Sequence, residues 1–226
     1  MARFIILSEK PWHSGLANAL KKHLPAHEWL LINEIDNFTQ EKLEDIGASK
    51  IFIPHWSHII PEGIFKKYEC FVFHMTDLPY GRGGSPLQNL IVRGHTETKI
   101  SALKVDEGID TGPVYLKKDL SLDGTAQDIF ERATEVIQEM IIEIVKRELK
   151  PSPQLGEATV FKRRTREDGN LQKLENIEQL YDYIRMLDAE GYPPAYIELE
   201  HVTLEFSKAD LNSDNTLSAH VRITKK

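Results

Sequence analysis

The chain is poor in cysteine: it has one, Cys70. No internal disulfide is available to it. Its place in the run Cys70-Phe71-Val72-Phe73 predicts a buried, unreactive core thiol and a reducing, cytoplasmic setting. No apolar run approaches the roughly 18 residues of a membrane span. The start, Met1-Ala2-Arg3-Phe4-Ile5-Ile6-Leu7-Ser8, has too short an apolar part for a signal peptide and no small-residue cleavage site after it, so a first strand is expected there. Basic residues are in the minority. With 28 Lys and Arg against 35 Asp and Glu, the formal net charge is -7, which argues against a bulk nucleic-acid binder. The histidines show no ligand spacing beside cysteines and no His-Glu-x-x-His, so no metal centre is expected. No Gly-x-Gly-x-x-Gly dinucleotide fingerprint is present, nor any internal repeat or low-complexity segment.

What is present is alternation. At 226 residues the chain is long enough for one sizeable domain and an appendage. Short apolar runs at Phe4–Leu7, Trp29–Ile32, Ile51–Ile53 and Phe71–Phe73 read as strands. Helical spacing separates them at Gly15–Leu24 and Gln40–Ile46. Leu87–Val92 follows Pro86, which suits a first helical turn. Lys99–Val105 and Val114–Leu120 alternate like strands, and Asp123-Gly124-Thr125 leads into a long amphipathic helix at about Ala126–Leu149. Strands alternating with helices imply a mostly parallel sheet covered on both faces. The prolines of Lys150-Pro151-Ser152-Pro153 mark a boundary, so one domain is expected over 1–150 and a second over 151–226. The second reads as a small β-rich subdomain with one helix, Ile177–Met186. Its two alternating runs, Ile197–Phe206 and Leu217–Ile223, flank the turn-rich Asn212-Ser213-Asp214-Asn215. The first of these runs is also a possible homodimer edge, the plain alternative being a covered strand.

Residues 74–113 hold the densest chemistry. His74 closes an apolar strand and opens the Pro- and Gly-rich stretch Met75-Thr76-Asp77-Leu78-Pro79, then Gly81-Arg82-Gly83-Gly84-Ser85-Pro86. In open α/β sheets, ligands sit beyond the carboxyl ends of the strands, where such an imidazole can donate to an oxyanion and relay protons. Asp110 lies in Asp106-Glu107-Gly108-Ile109-Asp110-Thr111-Gly112-Pro113, leading straight into the next strand. A carboxylate fixed there can orient the imidazole and accept a proton from an attacking amine.

Together these segments resemble the formyltransferases that use 10-formyltetrahydrofolate, among them the methionyl-tRNA, glycinamide ribonucleotide and sugar N-formyltransferases. The resemblance covers the first domain. It implies an α/β fold: a Rossmann-like formyltransferase domain with a mostly parallel sheet, plus the small β-rich C-terminal subdomain. It implies His74 and Asp110 as catalytic residues. The family pattern Asn-x-His-x-Ser-Leu-Leu-Pro departs here: Val72 stands at the Asn and Thr76 at the Ser. Losing an oxyanion donor costs roughly 100- to 1,000-fold in rate, so a substitute is expected, with Asn89 and the backbone N–H groups of Arg82–Ser85 as candidates. By position, the folate donor falls to Trp56, Ser57, His58 and Ile60 and to Asp106, Glu107, Gly108 and Ile109. A strand-to-helix loop with a core Trp is the plain alternative for the first group.

The acceptor side is read from three places. Ser8 and Lys10 precede a helix N-terminus that can hold phosphate, and Arg82 with Gly83 offers a guanidinium in a glycine loop; surface charge is the alternative for each. The tail, with Lys162-Arg163-Arg164-Thr165 and Gly191-Tyr192-Pro193-Pro194-Ala195-Tyr196, resembles the sugar N-formyltransferases of the pseudaminic-acid type and the formylation domain of linear gramicidin synthetase. Tyr192 and Tyr196 are then candidates to stack on a uracil ring, or else core aromatics. The expectation is therefore a cytoplasmic enzyme formylating a UDP-linked 4-amino-4,6-dideoxy sugar, with no metal, membrane or nucleic-acid partner. The four basic residues between Lys162 and Arg166 fall short of what a tRNA needs. The alternatives are transfer to an aminoacyl group, hydrolysis of the formyl folate, and a non-catalytic folate- or nucleotide-binding module.

Overall fold

Residues 1–226, all described by the computed structural model, run β1 (Arg3–Ser8), α1 (Leu16–His23), β2 (Glu28–Ile32), α2 (Gln40–Ile46), β3 (Ala48–His55), α3 (Glu62–Lys67), β4 (Glu69–His74), β5 (Arg82–Gly83), α4 (Pro86–Ile91), β6 (Glu97–Lys104), β7 (Val114–Ser121), α5 (Ala126–Arg147), β8 (Val160–Phe161), α6 (Ile177–Arg185), β9 (Ala195–Glu198), β10 (Val202–Leu211) and β11 (Leu217–Lys225). They form two compact units, and each draws on three stretches of chain. The first takes Met1–Gly83, Thr98–Leu120 and Glu131–Val160; the second takes Gly84–Glu97, Ser121–Phe130 and Phe161–Lys226. The single boundary expected at residue 150 is thus replaced by an interleaved division. No helix is long and apolar enough to cross a membrane.

The first unit is built on a six-stranded sheet of order β2-β1-β3-β4-β6-β7. Strands β1 to β4 are parallel, and β1 shows why: Ile5, Ile6 and Leu7 are all fully buried, as a strand covered on both faces requires. Helix α2 is delimited by its ends. Thr39 accepts from the Lys42 N–H at 3.2 Å, and Gly47 closes the helix at φ 71°, a conformation that glycine adopts without cost. Phe52 and Phe71 stack at 4.7 Å on one face of the central strands, and Cys70 is buried on the other face with Ile51 and Ile53, its thiol pushed up to about 12 by burial. β6 runs antiparallel to β4 and sets Ser101 opposite His74. That register matters for the site. Buried Ser101 donates to the Thr76 carbonyl at 2.7 Å and accepts from the Leu78 N–H at 3.2 Å, pinning the chain as it leaves His74. A Lys117 ammonium reaching Asp77 and the Leu78 carbonyl fixes the same turn, which contains the cis Leu78–Pro79 bond.

The second unit is the antiparallel sheet β9-β10-β11 packed on α6, with Leu171, Ile184 and Ala195 at its centre and Phe206, Leu217 and Ala219 against them. Asn176 caps α6, accepting from the Gln179 N–H at 2.8 Å. Arg185 is buried and satisfied, donating to the Leu122 and Gly124 carbonyls at 2.6 and 3.0 Å and to Asp182 at 2.7 Å. The run Ile197–Phe206 is not one strand. The Leu199 N–H donates to the Val202 carbonyl at 2.9 Å and turns the chain, so β9 and β10 pair with each other. The apolar alternation slips by one residue there, from Ile197 and Leu199 to Val202, Leu204 and Phe206, with the polar pair Glu200-His201 at the slip. The turn at Asn212–Asn215 forms as expected, with Asp214 accepting from the Thr216 N–H and hydroxyl.

At the end of β1, Ser8 and His13 are 1% and 2% exposed. The Ser8 hydroxyl lies 2.7 Å from His13 Nδ1 and accepts from the Lys10 N–H at 3.1 Å. Burial first, then the Lys10 charge, lowers His13 to about 4 from its ordinary 6.5. The unfolded chain therefore binds this proton more readily than the folded one between those values. Stability falls as pH drops through that window, by on the order of 3 kcal/mol once below it. His13→Asn, which keeps an acceptor for Ser8 and does not titrate, is expected to flatten the loss of Tm between pH 6.5 and 4 measured by thermal unfolding; an unchanged slope would refute the assignment.

Candidate active site

β4 ends at His74, which is buried, and its Nε2 lies 2.8 Å from the Gly81 carbonyl oxygen. A carbonyl only accepts, so Nε2 carries a hydrogen and donates it there. Nδ1 is then the nitrogen at which a proton is gained or lost. It faces the Asp110 carboxylate, with Oδ2 at 3.4 Å. That is an ion-pair distance rather than a close hydrogen bond, which leaves Nδ1 room for a third group. The same Oδ2 accepts from the Gly83 N–H at 2.9 Å. Gly81 also accepts from the Thr76 hydroxyl at 3.3 Å.

Local sequence explains this geometry. Gly81 and Gly83 sit at φ 74° and 98°, where side chains are disfavoured, so the turn after β4 is free to bend back under the imidazole. At Gly112 any Cβ would lie 1.8 Å from the Lys104 carbonyl, so only glycine returns the chain from the Asp110 loop into β7. Asp110 itself holds φ 54°, which an aspartate adopts at some cost. A proton-exchanging nitrogen beside a carboxylate, at the carboxyl end of a central strand, is suited to removing a proton from an attacking amine and stabilising a tetrahedral oxyanion.

The position of the family asparagine is apolar, and the side-chain donor named from the sequence to replace it is not free. Val72 packs with the apolar cluster of Ile53, Ile60 and Cys70. The Asn89 amide donates to the carbonyls of Gly84, Ser85 and Lys162 at 3.0, 3.0 and 2.9 Å, which leaves it no hydrogen for an oxyanion. The phosphate readings also change. The Ser8 hydroxyl is buried in its own loop, Lys10 stands over Trp12 at 5.6 Å, and the Arg82 fork grips Gln154 rather than pointing out unpaired. Gly83 serves Asp110 through its N–H. Tyr192 stacks on Phe130 at 5.3 Å, its hydroxyl pushed up to about 12 by burial, and Tyr196 is buried with Arg166 over its ring at 5.1 Å. Both are packing aromatics.

The residues named for the folate lie on two loops of the first unit. Ser57 and His58 are exposed, with His58 Nε2 2.9 Å from Glu9; the Ile60 side chain is core, so only its main chain can face a ligand. Trp56 has a buried indole N–H without a partner. Asp106 accepts from the Gly108 N–H and the Thr111 hydroxyl, shaping the second loop. Lys66 on α3, raised chiefly by its partner Glu62, also feels Glu107, which places that loop beside α3. Ile59 and Ile109 stand 85% and 69% exposed on the two loops. Gln154 and Thr159, both bonded to the catalytic loops, went unseen in the sequence; an isolated polar residue after Pro151 and Pro153 carries no spacing that marks it.

Comparison with known proteins resolves the chemistry. The formyl transferase family profile matches residues 6–145, and the profile of the methionyl-tRNA formyltransferase C-terminal domain matches 166–224. The methionyl-tRNA formyltransferase of Thermodesulfovibrio yellowstonii is 28% identical over 188 residues, covering 80% of this chain; the chain spans only 60% of that relative's length. The structure of the methionyl-tRNA formyltransferase from Clostridium thermocellum is 47% identical with a TM-score of 0.96 and covers 100% of both chains. A sugar N-formyltransferase from Shewanella has a TM-score of 0.65 at 14% identity, covering 97% of this chain and 96% of its own. HypX from Aquifex aeolicus, solved with tetrahydrofolic acid, has a TM-score of 0.73 at 20% identity, covering 92% of this chain and 37% of its own. These last two share the fold. The expectation of a nucleotide-linked sugar acceptor is therefore overturned: the tail that resembled sugar enzymes matches the C-terminal domain of the methionyl-tRNA enzymes instead. The formyl donor of this family is 10-formyltetrahydrofolate. A His–Asp pair at the strand ends and a family match over most of the sheet agree, and the chain belongs to the formyl transferase family.

Proposed function

We propose that this protein transfers the formyl group of 10-formyltetrahydrofolate to the α-amine of a methionyl group esterified to tRNA. The observation that carries the chemistry is His74, with Nε2 committed to Gly81 and Nδ1 beside Asp110. The amine nitrogen attacks the formyl carbon and a carbon–nitrogen bond forms. The formyl oxygen becomes an oxyanion, and the protonated Nδ1 is its donor. Asp110 takes the proton that the amine loses. The bond from the formyl carbon to N10 of the folate then breaks, and N10 takes a proton back through His74. Much of the rate comes from holding two substrates in line.

For the donor, the loops of Trp56–Ile60 and Asp106–Ile109 suit a flat heteroaromatic: exposed Ile59 and Ile109 offer apolar cover, and the partnerless Trp56 N–H is a donor in want of an acceptor. For the acceptor, support comes from the end-to-end likeness to the Clostridium thermocellum enzyme and the C-terminal match over 166–224. The expectation of no nucleic-acid partner gives way accordingly. Lys162 and Arg163 are exposed, and Arg164 and Arg166 lie over Tyr183 and Tyr196 at 5.2 and 5.1 Å, a short cationic run fit to meet phosphates. In this reading the first unit, including the stretch up to Val160, supplies the catalytic part, and the second, chiefly 161–226, the part that holds the acceptor.

Labelled 10-formyltetrahydrofolate incubated with initiator tRNA charged with methionine is expected to give labelled formylmethionine on deacylation; no label at saturating donor would rule the acceptor out. His74→Gln and Asp110→Asn are each expected to lower kcat by about 100-fold or more with the fold retained. A native rate in either would remove the pair from the mechanism. Tetrahydrofolate is expected to change the tryptophan fluorescence of the native protein but not of Trp56→Phe; an equal change in both would move the donor site elsewhere.

A further inference from the structure

We infer that Gln154 is a positioning residue for formyl transfer, holding the main chain that carries Asp110 in register with the glycine turn beneath His74. The inference rests on the reading of His74 and Asp110 as the reacting pair. Gln154 Nε2 donates to the carbonyls of Asp110 and Gly112, each at 2.8 Å. Its Oε1 accepts from Arg82 Nη2 and Nε at 2.8 and 3.2 Å. Both amide hydrogens and the amide oxygen are thus engaged by the two loops that meet at the imidazole.

These bonds complete a ring. The Gly83 N–H, one residue from Arg82, donates to the Asp110 carboxylate. Asp110 is therefore held by its side chain through Gly83 and by its carbonyl through Gln154, which leads back to Arg82. Such restraint has a reason: Asp110 sits at φ 54°, a left-handed conformation that side chains disfavour and that the surroundings must hold in place. Five residues on, Thr159 does the same for the other half of the pair. Its hydroxyl accepts from the Gly81 N–H at 2.7 Å, its carbonyl accepts from the Arg82 N–H at 3.0 Å, and its N–H donates to the Pro79 carbonyl at 3.2 Å. Gly81 is the residue whose carbonyl fixes His74.

The segment has little other purpose that the fold shows. Leu155 and Val160 are 86% and 74% exposed, so 154–160 is no part of the hydrophobic core. Its polar groups nevertheless converge on residues 79–83 and 110–112. The arrangement also accounts for Arg82: its fork steadies the strap instead of gripping phosphate.

Two substitutions test this by kcat and KM in formyl transfer from 10-formyltetrahydrofolate to charged initiator tRNA. Gln154→Met keeps the length of the side chain and removes all four bonds. Gln154→Glu keeps acceptors for Arg82 but turns a carboxylate onto two carbonyl oxygens. A displacement of about 1 Å at a reacting group costs roughly 100-fold in rate. Gln154→Met is expected to lower kcat by about 10- to 100-fold, Gln154→Glu by at least as much, with KM for the folate changed by less than about threefold. Because Gln154 acts through Asp110, adding Gln154→Met to Asp110→Asn is expected to cost little more than Asp110→Asn alone. A merely structural brace would lower Tm and leave the kcat of the folded protein intact, and that result overturns the inference; so does an undiminished loss from Gln154→Met in the Asp110→Asn background. If Gln154→Glu fails to fold, Gln154→Met decides. A native kcat in His74→Gln would sink the reacting pair itself, whereas a native kcat in Gln154→Met beside an inactive His74→Gln would sink this inference alone.

Discussion

The site hangs on one carbonyl. Gly81 accepts from His74 Nε2 and from the Thr76 hydroxyl, and in doing so decides which nitrogen of the imidazole does chemistry. An imidazole free to swap tautomers would offer a proton at either edge. One whose Nε2–H is held by an acceptor-only group offers Nδ1 alone. Everything nearby serves to keep that carbonyl in place. Ser101 braces the turn from the antiparallel neighbour β6, Lys117 clamps Asp77 and the Leu78 carbonyl, and Thr159 takes the Gly81 N–H. The switch from parallel pairing in β1–β4 to antiparallel pairing at β6 thereby has a local consequence: it brings Ser101 opposite His74.

For the acceptor proposed here, a whole-chain charge average is a poor guide. A net charge of -7 describes the far field of the molecule. At physiological salt, that field is screened within about 8 Å, so a polyanion meets only the few residues it touches. The run from Lys162 to Arg166 is local in this sense, and rings of Tyr183 and Tyr196 hold two of its guanidinium groups in place. The reasoning that four cations are too few treats recognition as bulk attraction. A short, ordered cationic run needs only to position an acceptor whose reacting end is a single amine.

Legibility in the sequence followed the range of the interaction. Strands such as Phe4–Leu7 and the long α5 announce themselves because burial on both faces, or on one helical stripe, leaves a periodic trace. The meeting of His74 and Asp110 was foreshadowed because glycines and prolines cluster where a loop must bend tightly. The division into units was not, since compactness depends on which segments meet in space, and Gly84–Glu97 leaves the first unit without any break in composition. The turn at Leu199 did leave a trace, a slip in the apolar alternation at Glu200-His201, which reading Ile197–Phe206 as one run passed over. Gln154 was invisible for a further reason: it lies more than forty residues from Asp110 and more than seventy from Arg82, and a hydrogen bond across such a gap leaves no local pattern.

The vacancy at Val72 raises the stakes on those long-range bonds. Where the family pattern has an amide, this chain has a side chain packed in the apolar cluster, and the amide of Asn89 is committed to three carbonyls. In the proposed mechanism an oxyanion draws on Nδ1–H of His74, because the N–H groups of Arg82, Gly83 and Gly84 are already given to Thr159, Asp110 and Phe161. Nδ1 must then answer to two partners, Asp110 before the attack and the oxyanion during it. At 3.4 Å the carboxylate is close enough to orient that hydrogen and too far to monopolise it. A shorter contact would compete with the oxyanion; a longer one would let the ring lose its alignment. With one fewer side-chain donor to share the charge, the placing of Asp110 matters more than it would beside an asparagine. A strained aspartate held from two directions is the physical form that requirement takes.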